Sequence, residues 1–146
     1  MIKPAAVALA AVALLAACSP SGGAHDGRGT LAGSSWRLVE LQSNDDTIGV
    51  VRPRDPSRYT MTLGADGRAS LRLDCNRAGG QWRSPTPGEI TFTPLAMTRA
   101  ACPEGSLDTR VARELEYVRS YLREGDRLRL TLMADGGSQL WTRAAP

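Results

Sequence analysis

Few groups in this sequence can do chemistry, and their spacing narrows what that chemistry would be. Cysteines stand at 18, 75 and 102, the single histidine is His25, and fifteen acidic side chains are spread along 146 residues. A zinc centre wants four nitrogen or sulfur ligands in close array, which Cys75 and Cys102 with no nearby histidine do not supply. A cysteine nucleophile needs a base or a cation beside it to form its thiolate, and no histidine follows His25. For the same reason no Ser-His-Asp or Cys-His relay can be assembled. No glycine-rich loop leaves a strand and opens a helix as a phosphate cradle would. Glu40, Asp74, Glu89 and Glu104 could in principle act as paired acids on a glycoside, but most surface acids are merely solvated. The expectation is a chain without catalytic residues, metal ligands or a cofactor.

The fate of the cysteines turns on the compartment, and the N-terminus bears on that. Residues 1–17 place one cation, Lys3, before an apolar run from Ala5 to Ala17. A bilayer-spanning helix wants roughly 20 apolar residues, so the run is too short to cross. A basic start, a short apolar core and small residues at its end make a secretory signal. Its last residues with the next, "LAAC" from Leu15 to Cys18, resemble a bacterial lipobox, in which cleavage leaves the cysteine as an acylated (palmitate-type) N-terminus; an ordinary signal peptide is the alternative. Membrane attachment is then through lipid on Cys18, and Ser19 favours the outer membrane, facing the periplasm, over inner-membrane retention.

With Cys18 assigned to lipid, Cys75 and Cys102 remain in an oxidising compartment. The even remainder points to a disulfide, with free thiols as the alternative. A bridge between residues 27 apart is worth about 3.5 kcal/mol on the chain-entropy model. Without Lys3, seventeen arginines face fifteen acids, a formal charge of +2. They are scattered and aromatics are few, so the basic stripe with stacking platforms that nucleic acid wants is missing.

The elements that must position these residues are mainly β. Residues 18–30 are small, polar and glycine-rich and read as a flexible tether of about 18 Å; residues 31–146 form one domain. "SWRLVEL" (35–41) alternates with Trp36 and Leu38 on one face and Val39 and Leu41 on the other, and 42–57 reads as a long surface loop with room for a short edge segment. "YTMTLGADGRASLRL" (59–73) is a hairpin about Asp66-Gly67. "GGQWR" and "EITFTP" give two short strands, and "DRLRLTLMADGGSQLWTR" a second hairpin with Leu128, Leu130 and Leu132 inward. Between them Leu107, Val111, Leu115, Val118 and Leu122 recur at helical spacing, which predicts one amphipathic helix over about 106–124, capped by Ser106 and closed at Gly125. Glu114 falls inside its apolar arc, with Arg110 one turn earlier; it reads as an edge residue paired with arginine or reaching for water, with a buried catalytic carboxylate as the alternative. The expected fold is a small antiparallel barrel or curled sheet covered by that helix. Asn76, between a strand and Gly79-Gly80, reads as satisfying turn backbone, with partner binding by Asn76 and Arg77 as the other possibility.

The runs "LAGSSWRLVEL", "DCNRAGGQW", "ITFTPLAMTRAACP", "LRLTL" and "QLWTR", in this order and spacing, resemble the META domain of HslJ-like bacterial proteins over nearly all of 31–143. The resemblance implies a lipocalin-like barrel, often exported or lipid-anchored, associated with stress tolerance and with no established catalytic residues. Asp74 stands where the family carries glycine, which implies a strand less sharply bent there, or a bend taken up at Gly79 and Gly80. The function expected is non-catalytic binding or scaffolding of an envelope protein under stress. The alternatives are a carrier of a small apolar ligand in the barrel mouth and an inhibitor of an incoming hydrolase. The lack of an acidic surface counts against an inhibitor of basic lysozymes.

Overall fold

The computed structural model describes residues 31–45 and 49–145; the expected signal segment 1–17, Cys18 and the tether with His25 lie outside them. Strands β1 (Ser34–Gln42), β2 (Val50–Val51), β3 (Tyr59–Leu63), β4 (Arg68–Leu73), β5 (Asn76–Arg83), β6 (Thr91–Phe92) and β7 (Ala96–Met97) precede the helix α1 (Asp108–Glu116). Strands β8 (Val118–Glu124), β9 (Arg127–Leu132) and β10 (Ser138–Arg143) follow it. Neighbours run antiparallel in the order β6-β5-β4-β3-β1-β10-β9-β8, with β2 added to β1 and β7 to β5. The two ends of this sheet then meet. Ile90 N–H donates to Arg119 O at 3.2 Å and Tyr121 N–H to Gly88 O at 2.8 Å, around a bridge between Glu89 and Ser120. The result is a nearly closed barrel whose end strands cover each other's backbone groups.

Alternation decides what faces inward. Ala69, Leu71 and Leu73 of β4 are buried while Arg68, Ser70 and Arg72 are exposed, and β9 repeats the pattern with Leu128, Leu130 and Leu132. β1 departs from strict alternation: its register against β10 slips between Leu38 and Glu40. That bulge adds one residue, so Leu41 points inward with Trp36 and Leu38 instead of outward with Val39. Trp36, Trp82 and Trp141 fill the interior, each at most 2 % exposed. Every indole N–H has a partner: Ser34 Oγ at 2.7 Å, Gly64 O at 3.0 Å and Gln139 Oε1 at 3.2 Å respectively. These bonds remove the penalty that an unpaired buried donor would carry.

The helix is shorter than its periodicity suggested. It ends at Glu116, and Val118–Glu124 is a strand paired with β9. Val118 and Tyr121 are residue types that suit a pleated surface, and the two-residue turn Gly125-Asp126 returns the chain directly into β9. Gly125 has φ 58°, the sign a type II′ turn requires at its first central position, so it serves a hairpin and not a helix cap. Leu122, the last residue of the apparent helical stripe, is 55 % exposed. Val111, Ala112 and Leu115 are the helix's buried residues, packed toward β4 and β6. Beneath them the fully buried Gln139 donates through Nε2 to Glu114 Oε2 at 3.1 Å, and Glu114 Oε1 accepts from Arg110 Nε at 2.7 Å. The acid in the apolar arc thus holds the helix to β10 in a satisfied polar relay.

Candidate functional site

Asp74, Cys75, Asn76, Arg77, Cys102 and Glu104 gather at one end of the barrel, where the β4–β5 turn meets the loop that leads into α1. Glu40 instead lies on β1 beside Arg52, and Glu89 at the seam opposite Ser120. The turn is two residues, Asp74 and Cys75, flanked by the pair Leu73 and Asn76. Asp74 adopts φ 57°, a conformation that glycine takes freely and aspartate tolerates. The sharp bend is therefore kept at Asp74 itself. Gly79 and Gly80 lie in the β4–β5 ladder opposite Ser70 and Ala69, so neither makes the bend. Asp74 is held on both sides: its N–H donates to Arg58 O at 2.8 Å, and Arg58 Nε lies 2.9 Å from its Oδ1. The latter contact is an ion pair by distance, but the Arg58 Nε–H is not aimed along it and makes no hydrogen bond.

Cys75 is joined to Cys102 by a disulfide, with Cα atoms 5.5 Å apart. Beside it Asn76, 2 % exposed, fastens the incoming loop. Its Oδ1 accepts from Ala100 N–H and from Thr98 Oγ1, both at 2.8 Å. Its Nδ2 donates to Asp108 Oδ2 at 2.8 Å and Ala100 O at 3.1 Å, with Cys102 Sγ at 3.3 Å. A backbone N–H can only donate, so the Ala100 contact fixes which end of the amide is oxygen. Asn76 thus satisfies backbone, but of a loop 24 residues away and not of its own turn. Its side chain is consumed by the fold, whereas Arg77 next to it is exposed.

Asp108 opens the helix and receives the other half of this network. Burial would raise its pKa. Hydrogen bonds from the Asn76 side chain, the Thr109 N–H and Ser106 outweigh that, and the carboxyl lies below its ordinary value. Ser106, expected as the N-cap, stands one residue outside; Leu107 takes that position without a side-chain cap. Tyr59 Oη instead accepts from Leu107 N–H at 2.9 Å. Of the four acids weighed as a pair, Glu40 is engaged by Arg52 at 2.7 Å and Asp74 by Arg58. Among the described residues no three His, Cys, Asp or Glu side chains converge as metal ligands would. Chemically, the arrangement is a staple with a polar latch, and its outer rim is basic.

A family model described as the META domain matches residues 29–145. The chain belongs to the META domain family. Among solved structures the META domain here is similar to a Burkholderia xenovorans protein determined by NMR. The TM-score is 0.67 at 20 % identity, covering 99 % of this chain and 98 % of that one. It is also similar to a DUF4847-family protein from Bacteroides vulgatus, with a TM-score of 0.58 at 14 % identity over 79 % of this chain and 95 % of that one. At these identities the likeness concerns the fold. No curated protein matches the chain. The family brings no catalytic assignment to the META domain. The Asn76 latch was missed as such in the sequence, because its partners are distant in the chain; the only local signal was an Asn directly after a cysteine.

Proposed function

We propose that this protein is an envelope lipoprotein, held to the outer membrane by lipid on Cys18, whose META domain is a non-catalytic binding or scaffolding module supporting envelope integrity under stress. The observation that carries this reading is the filled interior. Three tryptophans and the leucines of β1, β4 and β9 occupy the barrel, and α1 covers the adjoining end. Recognition then falls to the outer surface and loops. The disulfide and its Asn76 latch make that surface rigid, which suits a partner-binding scaffold. A membrane-facing role rests on the "LAAC" motif, since no helix among the described residues is long and apolar enough to cross a bilayer.

Two experiments test the proposal. Cys18→Ala should abolish incorporation of a labelled fatty acid and leave an unlipidated precursor; wild-type protein released in soluble form after cleavage elsewhere defeats the anchor. In a deletion strain, the wild type should restore survival under envelope stress and should co-purify with a specific envelope protein after in-cell crosslinking. Turnover of an envelope substrate by the purified protein would show that an enzyme has been overlooked.

A further inference from the structure

We propose that the outer face of the β4–β5 turn binds a phosphate group that retains a proton, held by the guanidinium groups of Arg58, Arg72 and Arg77. The inference goes beyond the proposed role and does not rest on the lipid anchor.

It starts from the register. Arg72 and Arg77 are direct partners across the β4–β5 hairpin. Arg77 turns its backbone away from β4, its N–H donating to Thr98 Oγ1 and its O accepting from Thr98 N–H, both at 3.0 Å. The two arginines therefore form a non-hydrogen-bonded pair, the arrangement that brings facing side chains closest. Both are exposed on the same face, where opposed like charges are destabilising. Little in the protein relieves them. Arg72 Nε reaches Asp74 O at only 3.4 Å, and the Arg77 guanidinium has no hydrogen bond or ion pair with a described residue.

Arg58 completes the cluster from the 3₁₀ turn that precedes β3. With Asp74, Cys75 and Asn76 the three arginines line a depression of about 330 Å³. Two carboxylates lie near it, of which Asp74 alone is in its lining. Asp74 is paired with Arg58 through Oδ1, and Asp55, engaged by Ser57, lies close enough for Arg58 and Arg72 to act on it. Three arginines against two acids leave one positive charge in surplus, at the Arg72–Arg77 pair.

An oxyanion fits this surplus by shape as well as by sign. Guanidinium forks match phosphate oxygens, and a tetrahedral anion offers enough oxygens to meet more than one fork, which a carboxylate does not. Asp74 at the wall adds selectivity. Hydrogen phosphate or a phosphomonoester monoanion can donate its remaining proton to that carboxylate, while sulfate and phosphodiesters have none to give.

The test follows backbone amide resonances and melting temperature of the full-length protein as the cell makes it, during titration with inorganic phosphate. Phosphate should move the Cys75, Asn76 and Arg77 amides saturably and raise the melting temperature. The doubly substituted Arg72→Gln, Arg77→Gln protein should bind at least about tenfold more weakly. Both substituted side chains are exposed, and removing their repulsion should leave the phosphate-free variant at least as stable as the wild type, so loss of binding is not loss of fold. Equal shifts with sulfate or chloride at matched ionic strength, or unchanged binding by the double variant, would overturn the site. Vesicles containing phosphatidylglycerol form the last arm: binding to them that needs both arginines, without saturation by free phosphate, overturns the protonated-phosphate assignment in favour of a phosphodiester surface.

Discussion

At the scale of single residues, Asn76 does most to organise the site. Its amide joins a strand end, a loop, a sulfur of the disulfide and the first residue of a helix. Asn76→Ala strands the Ala100 N–H and removes a donor from Asp108, and leaving such buried groups unpaired costs about 2–4 kcal/mol in total. Urea denaturation with the disulfide intact should show that loss. The acid limb of stability tests the same bond independently. Asp108 has a folded-state pKa below its unfolded value, so its contribution is complete above about pH 4 and disappears as pH falls through the folded pKa. With the Asn76 donor gone, desolvation is less well opposed, and the Asp108 carboxyl should titrate at a higher pH by NMR. The dependence of stability on pH below about 4 should flatten accordingly. An unchanged Asp108 titration in Asn76→Ala would mean that the Ser106 and Thr109 bonds alone hold it down.

At the scale of elements, two junctions decide the architecture. One is the staple between the β4–β5 turn and the loop before α1. Cys75→Ser opens a 27-residue loop and should destabilise the domain by about 2–5 kcal/mol, read from the denaturation midpoint. The other is the passage from α1 to β8, where sequence and structure part company. Leu107, Val111, Leu115, Val118 and Leu122 satisfy a helical period, and a strand over 118–124 uses the same residues differently. Its pairing with β9 and its contact with 88–90 are long-range choices that periodicity does not register. The bulge at Val39 was hidden for a related reason, since one inserted residue reverses facing without changing composition. What could be read were the alternating strands of β3, β4 and β9 and the pairing of Cys75 with Cys102, because the first depends on neighbours in sequence and the second on there being two cysteines in the domain. Substitution separates the helical from the strand reading of 118–124. Leu115→Ala, at a fully buried site, should cost about 2–5 kcal/mol, and Leu122→Ala less than about 0.5 kcal/mol. Comparable losses at both positions would put Leu122 on a buried helical face after all.

At the scale of the whole molecule, the question is whether a lipocalin-like barrel has the hollow that such a shape suggests. A carrier needs a concave apolar space of at least about 300 Å³ that remains open to solvent. Here Trp36 and Trp141 are fully buried and Trp82 nearly so, and Arg123 and Arg143 lie over the Trp36 ring at 5.9 and 5.6 Å. Val111, Ala112 and Leu115 of α1 add their side chains to the same core. Filling a barrel in this way trades ligand capacity for packing, and close packing is where small side-chain deletions cost most. The wild-type protein should therefore show no saturable binding of a fluorescent fatty-acid analogue and no change in tryptophan emission when it is added. Trp36→Ala supplies the counterpart. It should lose about 3–5 kcal/mol, and if it stays folded the space vacated is apolar and enclosed, so a small aromatic molecule should bind to it and restore part of the stability. A one-to-one complex of wild-type protein with the fatty-acid analogue, formed at micromolar concentration with a shift in tryptophan emission, would show that the barrel opens, and would put the carrier reading ahead of the scaffold.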